Sequence, residues 1–300
     1  MTPQLSLASV VVLVITVFTA STPAQVHAQI SVVDDTGNTI SLASPATRIV
    51  SLAPHATELV FAAGGGAKLV GVSAYSDVPA EAKYLPSVGG SGQLDIEAIA
   101  SLKPDLIIAW ASGNHPRQLA RLRRLGLTVF ESEPRSLDMI ASTMERLGTL
   151  VGSNQGHLQA ASFRRDLYAL QQRYADKSPV TVFYQIWSTP LMTLNDTHVI
   201  SQAIKLCGGV NSFGQLKPLV PTVSREAVVM ANPDMLISSD ENAEVPTHWQ
   251  RYKHIKFVKN ADFYRIDGSV MNRAGPRMVG ATATLCEKID QVRAKKSWLK

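Results

Sequence analysis

The chain has 300 residues, of which 45% are hydrophobic and 18% are charged, a composition typical of a globular protein with one large or two medium domains. The formal net charge is only +5. Lysine and arginine never occur more than two in a row, so the sequence excludes a strongly basic nucleic-acid-binding surface and we expect no nucleic-acid partner.

The N-terminus has the pattern of an export signal. Residues 5–20 are apolar apart from scattered serine and threonine, and Val26-His27-Ala28 forms a small-residue cleavage pattern before Gln29. The apolar run is shorter than the ~20 residues that a membrane span needs. We therefore expect residues 1–28 to be a signal peptide, and the mature chain to be a soluble protein of an oxidising compartment.

Strands and helices alternate along the chain after the signal. A hairpin is predicted over 30–42, where two alternating runs flank a turn cluster that contains Gly37. Short apolar runs predict strands, and amphipathic runs predict helices, over 46–53 (strand), 54–61 (helix), 69–74 (strand), 106–110 (strand), 116–125 (helix), 127–131 (strand) and 137–151 (helix). This alternation is typical of a parallel sheet with helices on both faces.

One helix–Pro-Asp–strand unit occurs twice. It occupies Leu94–Trp110 and again Ser224–Ser238, and it places Glu97 and Glu226 at equivalent positions. A separation of this size is far longer than the roughly 20–50-residue period of a solenoid. The repeat therefore indicates two similar lobes.

A long helical pattern separates the two copies of the repeat. Residues 158–175 carry an apolar stripe that includes Phe163 and Leu167, with charged and amide side chains on the other face. This helix either connects the two lobes or packs at the edge of one domain. We expect an N-terminal lobe over 29–152, a connecting helix over 153–176 and a C-terminal lobe over 177–300.

The two cysteines, Cys207 and Cys286, both lie in the C-terminal half. An even number of cysteines in an exported protein favours a disulfide, here between a helix over 199–208 and the last helix of the chain. Two buried free thiols are the alternative.

The sequence contains no recognisable catalytic or metal-binding motif. G-x-S-x-G, the Walker loop and H-E-x-x-H are all missing, and no three or four histidine, cysteine or carboxylate side chains have ligand spacing. We therefore expect a protein that is not an enzyme and holds no resident cofactor or metal. An exported α/β hydrolase is the alternative from another functional class.

Several motifs together resemble the periplasmic cobalamin-binding proteins of ABC importers, within a wider family that binds cobalamin, haem and iron-siderophore complexes. The similarity runs from about Arg48 to Gln291, and its motifs are R-I-V-S-L-A-P-x-A-T-E-L-V-F-A-A-G, V-G-V-S-x-Y-S-D-x-P, L-C-G-G-x-N-x-F, V-S-R-E-x-V and R-A-G-P-R. The resemblance implies two Rossmann-like α/β lobes joined by one long backbone helix, with a ligand cleft between them.

The same resemblance implies a periplasmic receptor that captures a corrinoid and delivers it to a membrane permease and its ATPase. Glu97 and Glu226 match the two glutamates with which such proteins dock onto permease arginines. Charge-mediated docking suits a transient complex, and we expect the receptor to be a monomer.

The residues implied to bind ligand lie just after predicted strands and in the R-A-G-P-R motif. Tyr75 and Trp110 match aromatic residues that line the cleft of cobalamin-binding proteins, because flat rings give a large contact area against a flat macrocycle. The further candidates are Trp187, Asn114 and Arg273.

This chain also departs from the family at the cleft. Aromatic residues expected near Ser91, Val220 and Val270 are replaced, which leaves haem or a ferric siderophore as alternative ligands. His55 and His115 are candidates for an axial ligand to the metal of the macrocycle, because a neutral imidazole binds iron and cobalt.

Overall fold

The computed structural model describes residues 29–90, 92–239 and 245–298. The predicted signal peptide, residues 1–28, lies outside these ranges. Across the described part of the chain, no helix combines the length and the apolar character that a membrane crossing requires.

The N-terminal lobe is built on a four-stranded parallel sheet. An antiparallel hairpin of β1 (Ile30–Val33) and β2 (Thr39–Leu42) precedes it. The sheet has the order β4-β3-β5-β6, and its strands are β3 (Ile49–Ser51), β4 (Leu69–Val72), β5 (Leu106–Trp110) and β6 (Val129–Ser132). The helices are α1 (Pro54–Ala62), α2 (Ile96–Ser101), α3 (Pro116–Arg124) and α4 (Leu137–Val151), with 3-10 turns at Gly66–Lys68 and Ala80–Tyr84.

The C-terminal lobe follows the long helix α5 (Gln155–Tyr174) and repeats this plan. Its parallel sheet has the order β10-β7-β11-β12, formed by β7 (Val180–Gln185), β10 (Gly209–Asn211), β11 (Met235–Ser238) and β12 (Phe263–Arg265), with a small hairpin of β8 (Trp187–Ser188) and β9 (Leu191–Met192). The helices are α6 (Val199–Leu206), α7 (Arg225–Ala231), α8 (Val245–Trp249), α9 (Lys256–Lys259), α10 (Gly268–Met271) and α11 (Met278–Trp298).

The repeated Pro-Asp unit has the same structural role in both lobes. The residue before each proline has a positive φ, and the aspartate after the proline caps the first strand of the sheet. Asp105 Oδ2 accepts hydrogen bonds from the backbone N–H and the hydroxyl of Thr47 at 2.7 Å each. Asp234 Oδ2 accepts the backbone N–H of Thr181 at 2.9 Å. The sequence repeat therefore corresponds to a structural repeat.

The helix α5 connects the two lobes, which decides between the two alternatives left by the sequence. Its buried side chains include Phe163, Leu167 and Tyr174, and it packs against α4 and α11. A Cβ at Gly156 would lie 2.1 Å from the Met144 carbonyl oxygen, so only glycine allows α4 and α5 to approach this closely. The largest buried apolar cluster runs from the N-terminal lobe through α5 into the C-terminal lobe.

The predicted disulfide is confirmed. Cys207, at the end of α6, is bonded to Cys286 in α11. The bond lies within the C-terminal lobe and attaches the last helix of the lobe to the helix that follows the β8–β9 hairpin.

The shortest elements and the full length of the last helix are not apparent from the sequence pattern. The hairpin β8–β9, the strand β10 and the helices α8, α9 and α10 have two to five residues each, too few for a hydrophobic period to show. The sequence pattern predicts a last helix over about 277–293, and this helix extends to Trp298 in the structure.

Candidate ligand-binding cleft

The candidate site lies where the strand order of the N-terminal sheet reverses. The strands β3 and β5 are neighbours in the sheet, while the chain connections from them lead to opposite edges. In open parallel sheets, ligands bind beyond the carboxyl ends of strands at such a switch point. Here β3 leads into Leu52, Ala53 and Pro54, and β5 ends on Trp110.

The loop after β5 holds Trp110 in a fixed position. Asn114 is buried, its Oδ1 accepts the Trp110 backbone N–H at 2.7 Å, and its Nδ2 donates to the Leu52 carbonyl at 3.1 Å. A Cβ at Gly113 would lie 1.9 Å from the Trp110 ring, so the indole packs directly on this backbone. Asn114, predicted from the sequence to bind ligand, thus joins the ends of β3 and β5.

Two cavities share Trp110 and Pro54 as walls. The outer cavity has a volume of about 360 Å³ and is lined by N-terminal-lobe residues that include Ser73 and Tyr75. The inner cavity has a volume of about 190 Å³ and lies between the lobes, with His55 from one lobe and His198 from the other. Trp110 therefore belongs to the wall of both cavities.

Both histidines of the inner cavity are neutral at pH 7. Burial, with a smaller contribution from the charge of Arg273, lowers the pKa of His55 to about 4. The His55 ring lies edge-on to the Trp110 ring, with 5.6 Å between the ring centroids. The Nε2 of His55 is buried without a hydrogen-bond partner. Burial also lowers the pKa of His198 to about 4, and its Nδ1 accepts the Ile200 backbone N–H at 3.2 Å.

The sequence pattern predicts a role in ligand binding for His55 but not for His198. A signal was available, because His198 occupies the N-cap position of α6 as His115 does for α3. The structure separates these two capping histidines: His115 is exposed and lines neither cavity, whereas His198 lines the inner one.

A buried carboxylate joins the two lobes beneath the cavities. Glu58, in α1, accepts hydrogen bonds from Arg277 Nε at 2.9 Å and Arg277 Nη2 at 2.7 Å. The side chain of Glu58 is only 4% exposed, and Arg273 Nη1 lies 3.4 Å from its Oε1. Two motifs noted in the sequence, A-T-E and R-A-G-P-R, thus meet in one ion-pair cluster.

Arg273 extends this cluster to the rim of the cleft. Its Nη1 donates to Asp77 Oδ1 at 2.8 Å and its Nη2 to the Tyr75 carbonyl at 3.2 Å. Tyr75 has a φ of +64°, a conformation that is uncommon for a residue other than glycine and that occurs at functional sites. Its ring is 85% exposed at the outer cavity.

The remaining predicted residues lie outside these cavities. Trp187 is half exposed in the β8–β9 hairpin, where its Nε1–H donates to the Thr189 carbonyl. Glu97 and Glu226 are exposed, and each is the second residue of its helix, α2 or α7. Hydrogen bonds from its own backbone and from Ser224 lower the pKa of Glu226, so that it is ionised at neutral pH.

No group of three or more histidine, cysteine, aspartate or glutamate side chains in the described part of the chain could hold a metal ion.

Comparisons with known proteins agree with this architecture. The chain matches the family described as periplasmic binding protein over residues 49–270. It is 39% identical over 244 residues to the vitamin B12-binding protein of Vibrio cholerae serotype O1, covering 81% of this chain and 88% of that protein.

Two solved structures show the likeness in three dimensions. The crystal structure of the periplasmic vitamin B12 binding protein of Vibrio cholerae superposes with a TM-score of 0.77 at 40% identity, covering 83% of this chain and 98% of that one. The periplasmic heme-binding protein of Roseiflexus sp. RS-1 in apo form superposes with a TM-score of 0.72 at 25% identity, covering 82% and 98%.

Removal of the Glu58 charge tests the inter-lobe cluster. We expect Glu58→Gln to lower the free energy of unfolding by about 3 kcal/mol, because it leaves two arginines without their buried carboxylate. Glu133→Gln is the control, since the Glu133 carboxylate, at the wall of the inner cavity, accepts hydrogen bonds from Ser112 and is not one of the carboxylates that pair with the two arginines. Urea unfolding measures both variants, and equal losses would contradict the assigned role of Glu58.

Because both histidines are buried as neutral groups, we expect the folded protein to lose stability in acid. Because the pKa of His55 is about 4 in the folded chain and about 6.5 when unfolded, the stability it contributes is complete above pH 6.5 and is lost as the pH falls towards 4. The loss is about 3 kcal/mol for this group. Urea unfolding at pH 7.5 and 4.5 should show a smaller difference for His55→Asn than for the parent. His157→Asn, at an exposed position of α5, should not change that difference.

Proposed function

This chain belongs to the periplasmic binding protein family, and from that premise we propose that it captures a corrinoid of the cobalamin type and delivers it to an ABC importer. One observation carries the proposal: the chain is 39% identical to a vitamin B12-binding protein and covers 88% of it. The geometry of the cleft supports it independently.

The aromatic groups of the cleft suit a large planar ligand. Trp110 is half-buried and forms a wall of both cavities, while the Tyr75 ring is free at the mouth of the outer one. Flat aromatic side chains give a large apolar contact area to a macrocycle. We propose that the ring of the corrinoid packs against Trp110 and Tyr75.

The charges of the cleft favour a ligand whose edge is uncharged over a ligand whose edge is anionic. Arg273 is the only lysine or arginine among the described residues that line the two cavities. It already bonds to Asp77 and Glu58, with Arg277 beside them and Glu133 at the cavity wall. Two carboxylates thus pair with the two guanidinium groups, and a third carboxylate, Glu133, lies at the wall of the inner cavity. The rim of a corrin carries neutral amides, whereas haem carries two carboxylates that would need a free cation.

Haem or a ferric siderophore is the second candidate, and two observations favour it. The fold also matches a heme-binding protein at 25% identity. Tyr75 presents a free phenol at the outer cavity, and tyrosine is one of the side chains that ligate haem iron.

The other predicted residues take different roles in this proposal. Asn114 acts through Trp110, whose position it fixes, and Arg273 acts at the rim through Tyr75 and Asp77. Trp187 is proposed to contact parts of the ligand that project beyond the two cavities.

The wider role follows from the family. We propose that the mature chain, over residues 29–300 after removal of the signal peptide, works in the periplasm as a monomer and binds its ligand without converting it. Its partners are a permease and the ATPase of that importer. Docking is assigned to Glu97 and Glu226, which the two lobes present at equivalent helix positions.

A titration distinguishes the two ligand classes. We expect purified mature protein to bind cyanocobalamin with release of heat and quenching of tryptophan fluorescence, and Trp110→Ala to weaken binding about tenfold or more through lost ring contact. Tyr84→Ala removes an exposed aromatic ring outside both cavities and should leave the affinity unchanged. Absence of heat and quenching at a large excess of cyanocobalamin would rule out the corrinoid. A hemin Soret shift that Tyr75→Phe abolishes would favour haem.

Charge reversal tests the docking assignment. Glu97→Arg combined with Glu226→Arg should abolish ligand transport into vesicles that contain the importer, because like charges would then face the permease arginines. The affinity of the receptor for its ligand should not change. Glu287→Arg, at an exposed position of α11, is the control and should transport normally. A loss of affinity in the double variant would place these glutamates at the cleft instead.

A further inference from the structure

We propose that the inner cavity is a subsite for one carboxamide arm of the ligand, and that His55 and His198, one from each lobe, recognise this arm. The inference rests on the proposed corrinoid function. It adds a specificity-determining pair of residues and names the chemical group that they bind.

The size of the inner cavity fits a substituent. Pockets that enclose a whole drug-sized ligand have volumes of roughly 300–1,000 Å³, and the outer cavity falls in this range at about 360 Å³. The inner cavity, at about 190 Å³, falls below it. Because the two cavities share Trp110, a ring that packs on Trp110 in the outer cavity can extend a short arm past the indole into the inner one.

The two imidazoles offer the hydrogen-bonding groups that a carboxamide needs. The Nδ1 of His198 accepts the Ile200 backbone N–H, so the proton of the neutral ring is on Nε2, which is a donor. His55 lines the same cavity, and its Nε2 is buried without a partner. Buried polar nitrogens without partners are rare and costly. A carboxamide has both an acceptor oxygen and a donor nitrogen, so it can satisfy both rings.

The surroundings discriminate against a carboxylate. Glu133 at the cavity wall is acidic and already accepts the Ser112 backbone N–H and hydroxyl. Arg273 is committed to Asp77 and to the Tyr75 carbonyl. An entering carboxylate would meet Glu133, two uncharged imidazoles and an Arg273 that is already paired with Asp77, whereas an uncharged amide avoids the repulsion from Glu133.

The experiment exchanges single amides for carboxylates on the ligand. Cyanocobalamin and its b-, d- and e-monocarboxylic acids, each with one propionamide hydrolysed, are titrated calorimetrically at pH 7.5. We expect one of the three acids to bind about tenfold or more weakly than the parent, and the other two to bind within threefold of it. In the double variant His55→Asn/His198→Asn, the parent ligand should bind about 5- to 15-fold more weakly, and the penalty on that acid should shrink.

We chose substitutions that should leave the fold intact. Asparagine is a strong N-cap residue, so His198→Asn keeps the cap of α6 while removing the Nε2–H. His115→Asn is the matched control, because His115 caps α3 through the same 3.2 Å Nδ1 contact but is exposed and outside both cavities. This control should bind all four ligands like the parent protein. Circular dichroism confirms that each variant is folded, and His55→Gln replaces His55→Asn if the latter is not.

Three results would overturn the proposal. All three acids could bind like cyanocobalamin, or the histidine variants could keep the full penalty on one acid. The visible spectrum of diaquocobinamide could shift on binding and lose that shift in His55→Asn, which would make the imidazole a ligand of cobalt. Failure of cyanocobalamin itself to bind the parent protein is distinguishable from these, and it would remove the proposed corrinoid function together with the subsite.

Discussion

The arrangement of the cleft depends on the ion pairs of the buried Glu58 carboxylate. A carboxyl side chain at 4% exposure needs polar or charged partners, and the partners are Arg273 and Arg277, which are more than 200 positions away in the other lobe. Arg273 also reaches Asp77 and the Tyr75 carbonyl. The pair of lobes, the rim of the outer cavity and the conformation of Tyr75 are therefore set by one cluster of charges.

Apolar packing also holds the two lobes together, in addition to the ion pairs. The long helix α5 carries Phe163 and Leu167 into a buried cluster that continues from one lobe to the other. Protein interiors are close-packed and deform little, so a shared core limits relative movement of the lobes. A cleft between lobes held in this way is largely formed before a ligand arrives, which lowers the ordering cost of binding.

Much of the architecture could be predicted because it is encoded locally. The alternation of short apolar runs with amphipathic ones predicted the parallel sheets, and the Pro-Asp repeat predicted two lobes of one plan. The capping of Thr47 by Asp105 and of Thr181 by Asp234 explains why that repeat is retained in the fold. Elements of two to five residues escaped prediction, since a hydrophobic period needs a longer window.

The sequence by itself determined the order of the longer elements, the two-lobed repeat and the placement of Trp110 at a strand end, because each depends on neighbours in the chain. The even number of cysteines favoured a disulfide, and the structure decided it. Only the tertiary structure decided which distant side chains meet. It brought His198 to the same cavity as His55, gave Glu58 its arginines and showed that Asn114 holds Trp110. These contacts join elements far apart in the chain, and their partners are fixed by the packing of the lobes, which no local pattern specifies.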